Sequence, residues 1–194
     1  EAVLRALGEH VYFWIETGVD YNEDDLRRLV QVFDEQIYPT NREFFGSEWS
    51  PGVDNDPRPY TLYVRNGGRS LLGYYSPVDE VHPLVHEYSN TAELFVLSAD
   101  NVSLEDSSSY GVLAHEFQHM IHWYRDRNED SWINEGFSEL AGLLNGYHDP
   151  GYVVLYNIDP DIQLNDWPDD TNASIAHYGA SFLFVTYFLD RFGE

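Results

Sequence analysis

The order of the predicted elements indicates an α+β domain. Apolar and polar residues alternate as in β-strands in several segments before residue 100, whereas helical spacing of apolar residues prevails after residue 107. The chain of 194 residues has no internal repeat and no clear linker. We therefore expect a single domain over 1–194, with a sheet-rich part at 1–100 and a helical part at 101–194.

One long helix is predicted between the first two strands of the sheet-rich part. It begins at Asn22, a favourable N-cap, and runs towards residue 45, with Pro39 marking a break or an end. A turn at Gly67-Gly68 follows the second strand. The predicted strands lie at about 10–16, 60–66, 70–77 and 92–100, with an irregular segment at 81–91.

Three helices are predicted in the second part. The last is strongly apolar, but no apolar run in the chain approaches the roughly 20 residues needed to span a bilayer, so we expect a core helix. The helices are expected at 107–126, 131–147 and 174–192, with a loop-rich segment at 148–172.

The charge of the chain is one-sided. It has 34 acidic residues and 10 basic ones, all of them arginine, for a formal net charge of -24. Such a surface repels phosphate backbones, so we expect no nucleic-acid partner, and basic substrate segments suit it better. Cysteine is absent, so any metal must be bound by His, Asp or Glu, which suits a catalytic zinc ion better than a structural one.

His115, Glu116 and His119 form the pattern H-E-x-x-H inside the predicted helix 107–126. Residues four apart lie on one face of a helix, so two imidazoles can bind one metal ion. Glu116 follows the first histidine, where its carboxylate can take a proton from a water on the metal. The pattern predicts a zinc site with its own general base; the alternative is a helix whose histidines lie on the surface or in the core.

A catalytic zinc site needs a third protein ligand. Glu135 and Glu139 are also four apart, on the next predicted helix, and only 15 residues separate His119 from Glu135. A tight loop of this length can return the second helix beside the first. One of the two carboxylates can then bind the metal while the other orients a ligand histidine through its free N–H.

The stretch HEFQH followed by WINEGFSEL resembles the gluzincin zinc metallopeptidases, and the hyicolysin-like bacterial peptidases in particular. The resemblance is specific over 110–147 and weak before residue 90. It implies a thermolysin-like zincin fold with a small mixed sheet, a Zn²⁺ cofactor, Glu135 as the third ligand and Glu139 as the partner of His115. It also implies a secreted or extracellular protein that acts on protein or peptide substrates.

The resemblance favours an endopeptidase, since the G-x-M-E-N motif with which aminopeptidases bind a free amino terminus is absent. A zinc aminopeptidase, a catalytically inactive binding module of the same fold and a non-peptidase zinc hydrolase are the alternatives. The chain starts at Glu1 rather than Met, which suits a mature or excised domain of a longer protein.

Two candidates for stabilising the oxyanion of the transition state follow from the resemblance. Gluzincins use a Tyr or His after the third ligand, and His177 and Tyr178 stand at the start of the last predicted helix. The family's tyrosine precedes a glycine by three residues, whereas this chain has Ala176 at that place. The residue type is therefore present, but the position does not match.

The segment 87–98 is a candidate substrate-binding region. In the fold that the resemblance implies, an edge strand before the zinc helix pairs with an extended substrate, which points to Asn90 and Glu93. An ordinary sheet strand is the alternative interpretation.

Other polar clusters have simpler explanations. His82 and His86 lie four apart, but Pro83 disfavours a regular helix through them, so we expect no second metal site there. His122 is expected to pack or face solvent rather than bind the metal. The acidic turn at 54–56 is compatible with a structural Ca²⁺ ion, although it does not follow the twelve-residue calcium-loop pattern.

Overall fold

A five-stranded mixed sheet and the helices packed beside it form the α+β architecture that the sequence predicts. In this computed structural model, residues 1–65, 68 and 71–193 are described. The strands are β1 (Ala2–Leu7), β2 (Tyr12–Glu16), β3 (Tyr60–Val64), β4 (Gly73–Tyr75) and β5 (Leu94–Ser98). The helices are α1 (Glu23–Val32), α2 (Tyr38–Phe45), α3 (Ser107–Arg125), α4 (Ser131–Leu144), α5 (Gly151–Ile158) and α6 (Thr171–Phe192).

The sheet has parallel strands at its centre and antiparallel strands at its edges. The order is β1-β2-β3-β5-β4, and β2, β3 and β5 run in the same direction. All five residues of β5 are buried, and the strand has a neighbour on each side. The prediction of an edge strand before α3 is therefore wrong for β5, since β4 pairs with it from outside and is the edge strand.

β1 and β4 differ most from the predicted strands. β1 is not predicted, because most of its residues are exposed and the segment has no apolar alternation; it pairs antiparallel with β2. β4 covers only three residues of the predicted strand 70–77. Ser70, and Gly67 of the predicted turn, lie outside the described residues.

The long helix predicted in the first part forms as consecutive helical segments. The side chain of Asn22 accepts hydrogen bonds from the N–H groups of Asp24 and Asp25, as an N-cap does. Pro39 does not end the helix: residues 33–37 are π-helical, and α2 follows directly with Pro39 in its first turn. A proline is tolerated in a first turn, where its missing N–H costs least.

Aromatic side chains from the sheet and from two helical segments meet in the main core. Phe33 precedes α2, Phe95 lies in β5 and Phe117 lies in α3. All three are fully buried, with ring centroids 5.4 to 6.4 Å apart. Burying a side chain of this size contributes about 1.5–3 kcal/mol. This cluster therefore holds α3 against the sheet and sets which side of α3 faces the other helices.

In the helical part, α4 packs against both α3 and α6. Gly136 permits the close approach to α6, since a Cβ there would stand 3.0 Å from the carbonyl oxygen of Ser181. The loop-rich interpretation of 148–172 is wrong in part, because α5 forms there and packs on α6. No side chain caps α5, so the segment has no capping signal. None of the described helices combines the length and the apolar character that crossing a membrane would require.

Candidate metal centre

Helix α3 presents the two histidines of the H-E-x-x-H pattern to α4. Its other side is buried in the core through residues such as Leu113 and Phe117. His115 and His119 stand one turn apart, and their side chains are only 17% and 12% exposed. The packing of α3 thus fixes the direction in which both imidazoles point.

The ligand atoms of three side chains converge between α3 and α4. The Nε2 atoms of His115 and His119 lie 3.0 Å apart. Oε2 of Glu135, from the first half of α4, lies 3.3 Å from Nε2 of His115 and 3.4 Å from Nε2 of His119. Among the described residues, this is the one His, Asp or Glu group with three such atoms within 4.8 Å of one another.

The donor set fits a zinc ion. Oε2 of Glu135 is buried and has no hydrogen-bond partner of good geometry among the described residues. A buried carboxylate oxygen without a partner is costly unless something else satisfies it. Two imidazole nitrogens and one carboxylate oxygen are ligands that zinc accepts, and three protein ligands leave one coordination position open, as in catalytic zinc sites.

Glu139 contacts Nδ1 of His115, the ring nitrogen that does not face the ligand cluster. Its Oε1 lies 3.2 Å from Nδ1 of His115, so the N–H at Nδ1 can donate to the carboxylate and Nε2 remains free to bind a metal. The other oxygen of Glu139 lies 3.8 Å from Nδ1 of His148, which stacks on Phe182 of α6 at a centroid distance of 4.0 Å. Sequence reasoning finds Glu139 from its spacing, whereas His148 carries no local signal.

Asn134 and Ser138 orient His119 in the same way. Oδ1 of Asn134 lies 3.1 Å and Oγ of Ser138 lies 3.0 Å from Nδ1 of His119. The Ser138 hydroxyl also donates to Oε1 of Gln118, at 2.5 Å. Sequence reasoning missed both residues, although they are four apart in α4 and adjacent to Glu135 and Glu139, and this spacing was the available signal.

The charges of the cluster change the pKa values of its members. Burial alone would lower the pKa of His115, but the adjacent carboxylates of Glu135 and Glu139 raise it well above 6.5. The pKa of His119 is likewise lowered by burial but raised overall, chiefly by the charge of Glu135. Burial raises the pKa of Glu135, yet the two histidines bring it far below its usual range. In the protein alone, the cluster therefore favours an ionised Glu135 carboxylate and positive charge on the pair of imidazoles.

Glu116 is buried beside this cluster, with 6% of its surface exposed. Burial raises its pKa above the usual value, and the neighbouring His115 and His119 offset only part of that increase. The backbone amide of Tyr75, in the edge strand β4, also stabilises its charged form. A carboxylate in this position holds a proton more readily than an exposed glutamate, which suits a group that accepts and returns protons.

Tyr178 and His177 lie in the first half of α6. Tyr178 stacks on Tyr152 of α5, with ring centroids 5.3 Å apart. Burial, and then the charge of Glu135, raises the pKa of Tyr178 above its usual range, so its hydroxyl keeps its proton at neutral pH. Nδ1 of His177 lies 3.2 Å from the carbonyl oxygen of Ala173 in its own helix. Tyr178 is therefore within electrostatic reach of the ligand cluster, whereas His177 bonds within α6.

The predicted substrate-binding residues have other partners. Nδ2 of Asn90 donates to Oδ1 of Asp79 at 2.6 Å. Glu93 is only 2% exposed, and its Oε1 accepts the N–H of Val53 at 2.7 Å. The edge-strand position expected for Asn90 and Glu93 is wrong, because β5 has a neighbour on each side and both side chains bond to neighbouring loops.

The remaining polar candidates do not join the ligand cluster. Nδ1 of His122 lies 3.4 Å from Nε2 of Gln118, and burial lowers the pKa of His122. In the acidic turn at 54–56, Asp54 accepts the hydroxyl of Tyr60 and Asp56 accepts that of Tyr12, each at 2.8 Å. These carboxylates therefore have hydrogen-bond donors of their own.

Comparison with known proteins relates this chain to a metalloprotease. No protein-family model matches it. Over 156 residues it is 26% identical to the neutral metalloprotease ShpI of Staphylococcus hyicus, a similarity that covers 71% of this chain and 34% of that protein. The chain thus spans about a third of its relative's length. Together with the His-His-Glu cluster, this similarity supports a relationship to metalloproteases and suggests zinc protease activity.

Proposed function

We propose that residues 1–194 form one zincin-type peptidase domain, hyicolysin-like within the gluzincins, and that it is a zinc-dependent endopeptidase. The observation that carries this proposal is the convergence of Nε2 of His115, Nε2 of His119 and Oε2 of Glu135 beside the buried Glu116. The similarity to a neutral metalloprotease supports the same reaction class. The resemblance, rather than any described residue, supports action outside the cell.

The three converging side chains would hold the zinc ion. When bound there, zinc would supply Lewis-acid chemistry toward a peptide carbonyl and toward the attacking water. Glu116 acts as general base at its carboxylate, taking a proton from the water and then returning it to the leaving amine. Glu139 keeps the N–H of His115 on Nδ1, so that Nε2 is free as a ligand.

Tyr178 is the proposed donor to the oxyanion. Burial and then the charge of Glu135 raise its pKa, so its hydroxyl stays protonated and is able to donate a hydrogen bond to the reacting carbonyl. His177, the other candidate, already bonds to the carbonyl oxygen of Ala173. We therefore assign the donor role to Tyr178 and a packing role to His177.

The test compares metal content with hydrolysis of an unfolded protein substrate. We expect about one zinc ion per chain and a cleavage rate that falls about 10²- to 10⁴-fold in Glu116→Gln while zinc is retained. The exposed Glu105→Gln, on the loop before α3, is the matched control and should cleave like the wild type. Full zinc loading with cleavage that does not depend on Glu116 would contradict the proposal. Zinc loading with no cleavage at all would indicate the inactive binding module.

A further inference from the structure

A cleft of about 310 Å³ opens beside the ligand cluster. Its floor includes His119 and Glu135 of the proposed metal site. One wall is formed by Tyr75 of the edge strand β4, and the other by Trp123 at the end of α3 with Arg127 in the loop that follows. A peptide bound at the metal would therefore extend past the side chains of this cleft.

Arg127 lines this cleft and forms no close ion pair among the described residues. Its guanidinium carbon lies 5.1 Å from the centroid of the Trp123 ring, in a cation–π contact. It forms no salt bridge and no hydrogen bond with any described residue, unlike Arg27 or Arg42, which pair with acids. A guanidinium carries five N–H donors, so Arg127 presents a positive charge and unused donors to a ligand.

Asp126 and Glu129, the acidic residues near Arg127, also line the cleft, but each accepts an N–H group of the loop. Oδ1 of Asp126 accepts the N–H of Asn128, and Oε1 of Glu129 accepts the N–H of Asp130, each at 3.0 Å. These bonds stabilise the tight loop that joins α3 to α4. The carboxylates shape the loop that carries Arg127, yet neither forms an ion pair with it among the described contacts.

The charge of Arg127 acts across the cleft. Burial, the charge of Glu80 and a hydrogen bond to Glu80 together raise the pKa of Tyr75, while Arg127 lowers it. Burial raises the pKa of Glu80 to about 7, and Arg127 again acts in the opposite direction. The charge of Arg127 therefore acts on Tyr75 and Glu80, while its side chain remains exposed to a ligand that enters the cleft.

We propose that Arg127, supported by Trp123, is a specificity-determining residue that binds a carboxylate of the peptide substrate near the scissile bond. The inference rests on the proposed peptidase function and names a substrate class for it. The overall charge of -24 favours basic segments, but Arg127 is the one arginine among the described residues that line this cleft. The carboxylate is either an Asp or Glu side chain or the free carboxyl terminus of the peptide.

The experiment uses matched quenched peptides and zinc-loaded protein. In the first pair, one peptide has Glu and the other has Gln at the same position, and each position around the cleaved bond is tested in turn. In the second pair, one peptide has a free carboxyl terminus and the other an amidated one. We expect kcat/KM to favour the carboxylate peptide of one pair about 10-fold or more, and Arg127→Ala to abolish that preference. Arg127→Glu should reverse the preference in kcat/KM, so that a peptide with Lys at the same position is cleaved faster than the Glu peptide. The pair that responds identifies the source of the carboxylate.

Arg125→Ala is the control, because Arg125 ends α3 but does not line the cleft. It should keep the wild-type preference. The inference is overturned if the wild type shows no carboxylate preference, or if Arg127→Ala keeps it.

A binding measurement separates this inference from the proposed function. The same peptides are titrated into zinc-loaded Glu116→Gln, with Trp fluorescence as the signal, since Trp123 lies under Arg127. Tighter binding of the carboxylate peptide that disappears in Glu116→Gln/Arg127→Ala supports the subsite even if no hydrolysis is found. Equal binding of both peptides contradicts the subsite even if hydrolysis depends on Glu116.

Discussion

Two pairs of histidines in this protein have the same spacing and different surroundings. His115 and His119 lie on α3, and their Nε2 atoms converge 3.0 Å apart against α4. His82 and His86 are exposed in the irregular segment 81–91, where Nδ1 of His82 accepts the N–H of Leu84. The ring of His86 instead contacts that of Tyr88, at a centroid distance of 5.9 Å.

The difference shows what a spacing of four residues requires before it can form a metal site such as the one proposed here. The spacing aligns two side chains only within a helix, and Pro83 stands inside the second pair. A second element must then supply a further ligand and hold the imidazoles in one orientation. α4 does both for His115 and His119, through Glu135, Glu139, and the pair Asn134 and Ser138.

The largest predicted effect separates the two pairs directly. His115→Ala and His119→Ala should each weaken zinc binding by more than about 100-fold, because each removes a proposed ligand that no neighbour replaces. His82→Ala and His86→Ala should leave zinc affinity within about twofold, since exposed polar substitutions change little. Competition with a chromophoric chelator measures the zinc affinity of all four variants. A comparable loss in either exposed variant would show that the second pair also takes part in metal binding.

A smaller effect is expected from the residue that orients His115. Glu139→Gln keeps the shape of the side chain but removes the charge that holds the N–H at Nδ1. Zinc affinity or kcat/KM should fall about 10- to 100-fold. Glu87→Gln, in the exposed segment beside His86, is the control. Unchanged zinc affinity and activity in Glu139→Gln would show that His115 does not need the charge of Glu139 to keep its N–H at Nδ1.

The smallest effect concerns the pH dependence of the metal-free protein. A histidine with a raised pKa stabilises the fold below its ordinary value of 6.5, and that stabilisation is lost as the pH rises through the raised value. Glu135, whose pKa is lowered, stabilises the fold above its ordinary 4.5. The Tm of the wild type should therefore exceed that of His115→Gln most between pH 4.5 and pH 6.5. This difference in Tm should shrink by about 3 °C at higher pH.

Thermal unfolding in the presence of a chelator tests this pH dependence. His86→Gln is the matched control, because His86 is exposed and away from regular structure. The Tm of His86→Gln should stay close to that of the wild type across the pH range. A Tm difference between wild type and His115→Gln that grows above pH 7 would contradict the charge arrangement of the cluster.

The part of the site that depends on helical spacing was predictable. Two pairs four residues apart, His115 with His119 and Glu135 with Glu139, lie on two successive amphipathic helices, and the helix geometry alone aligns each pair. The role of His148 was not predictable, because it reaches Glu139 from a loop with no periodic pattern.

The errors in the fold have related causes. β1 is largely exposed, so it lacks the alternation that marks a strand with one buried face. The position of β5 inside the sheet depends on strand order, which alternation does not specify. Arg127 carries no signal in the sequence, because its place beside the cleft depends on how the loop after α3 folds.

The amino-acid sequence by itself determined the helices α3 and α4, the side chains that lie together on each of them, and the exclusion of thiolate chemistry. These properties follow from the helical repeat and from composition, which are local. Only the tertiary structure decided that Oε2 of Glu135 meets both imidazoles, that β4 rather than β5 borders the cleft, and that Arg127 faces it. The physical reason is that these features depend on how α3, α4 and the sheet pack, and packing is set by contacts between residues far apart in the chain.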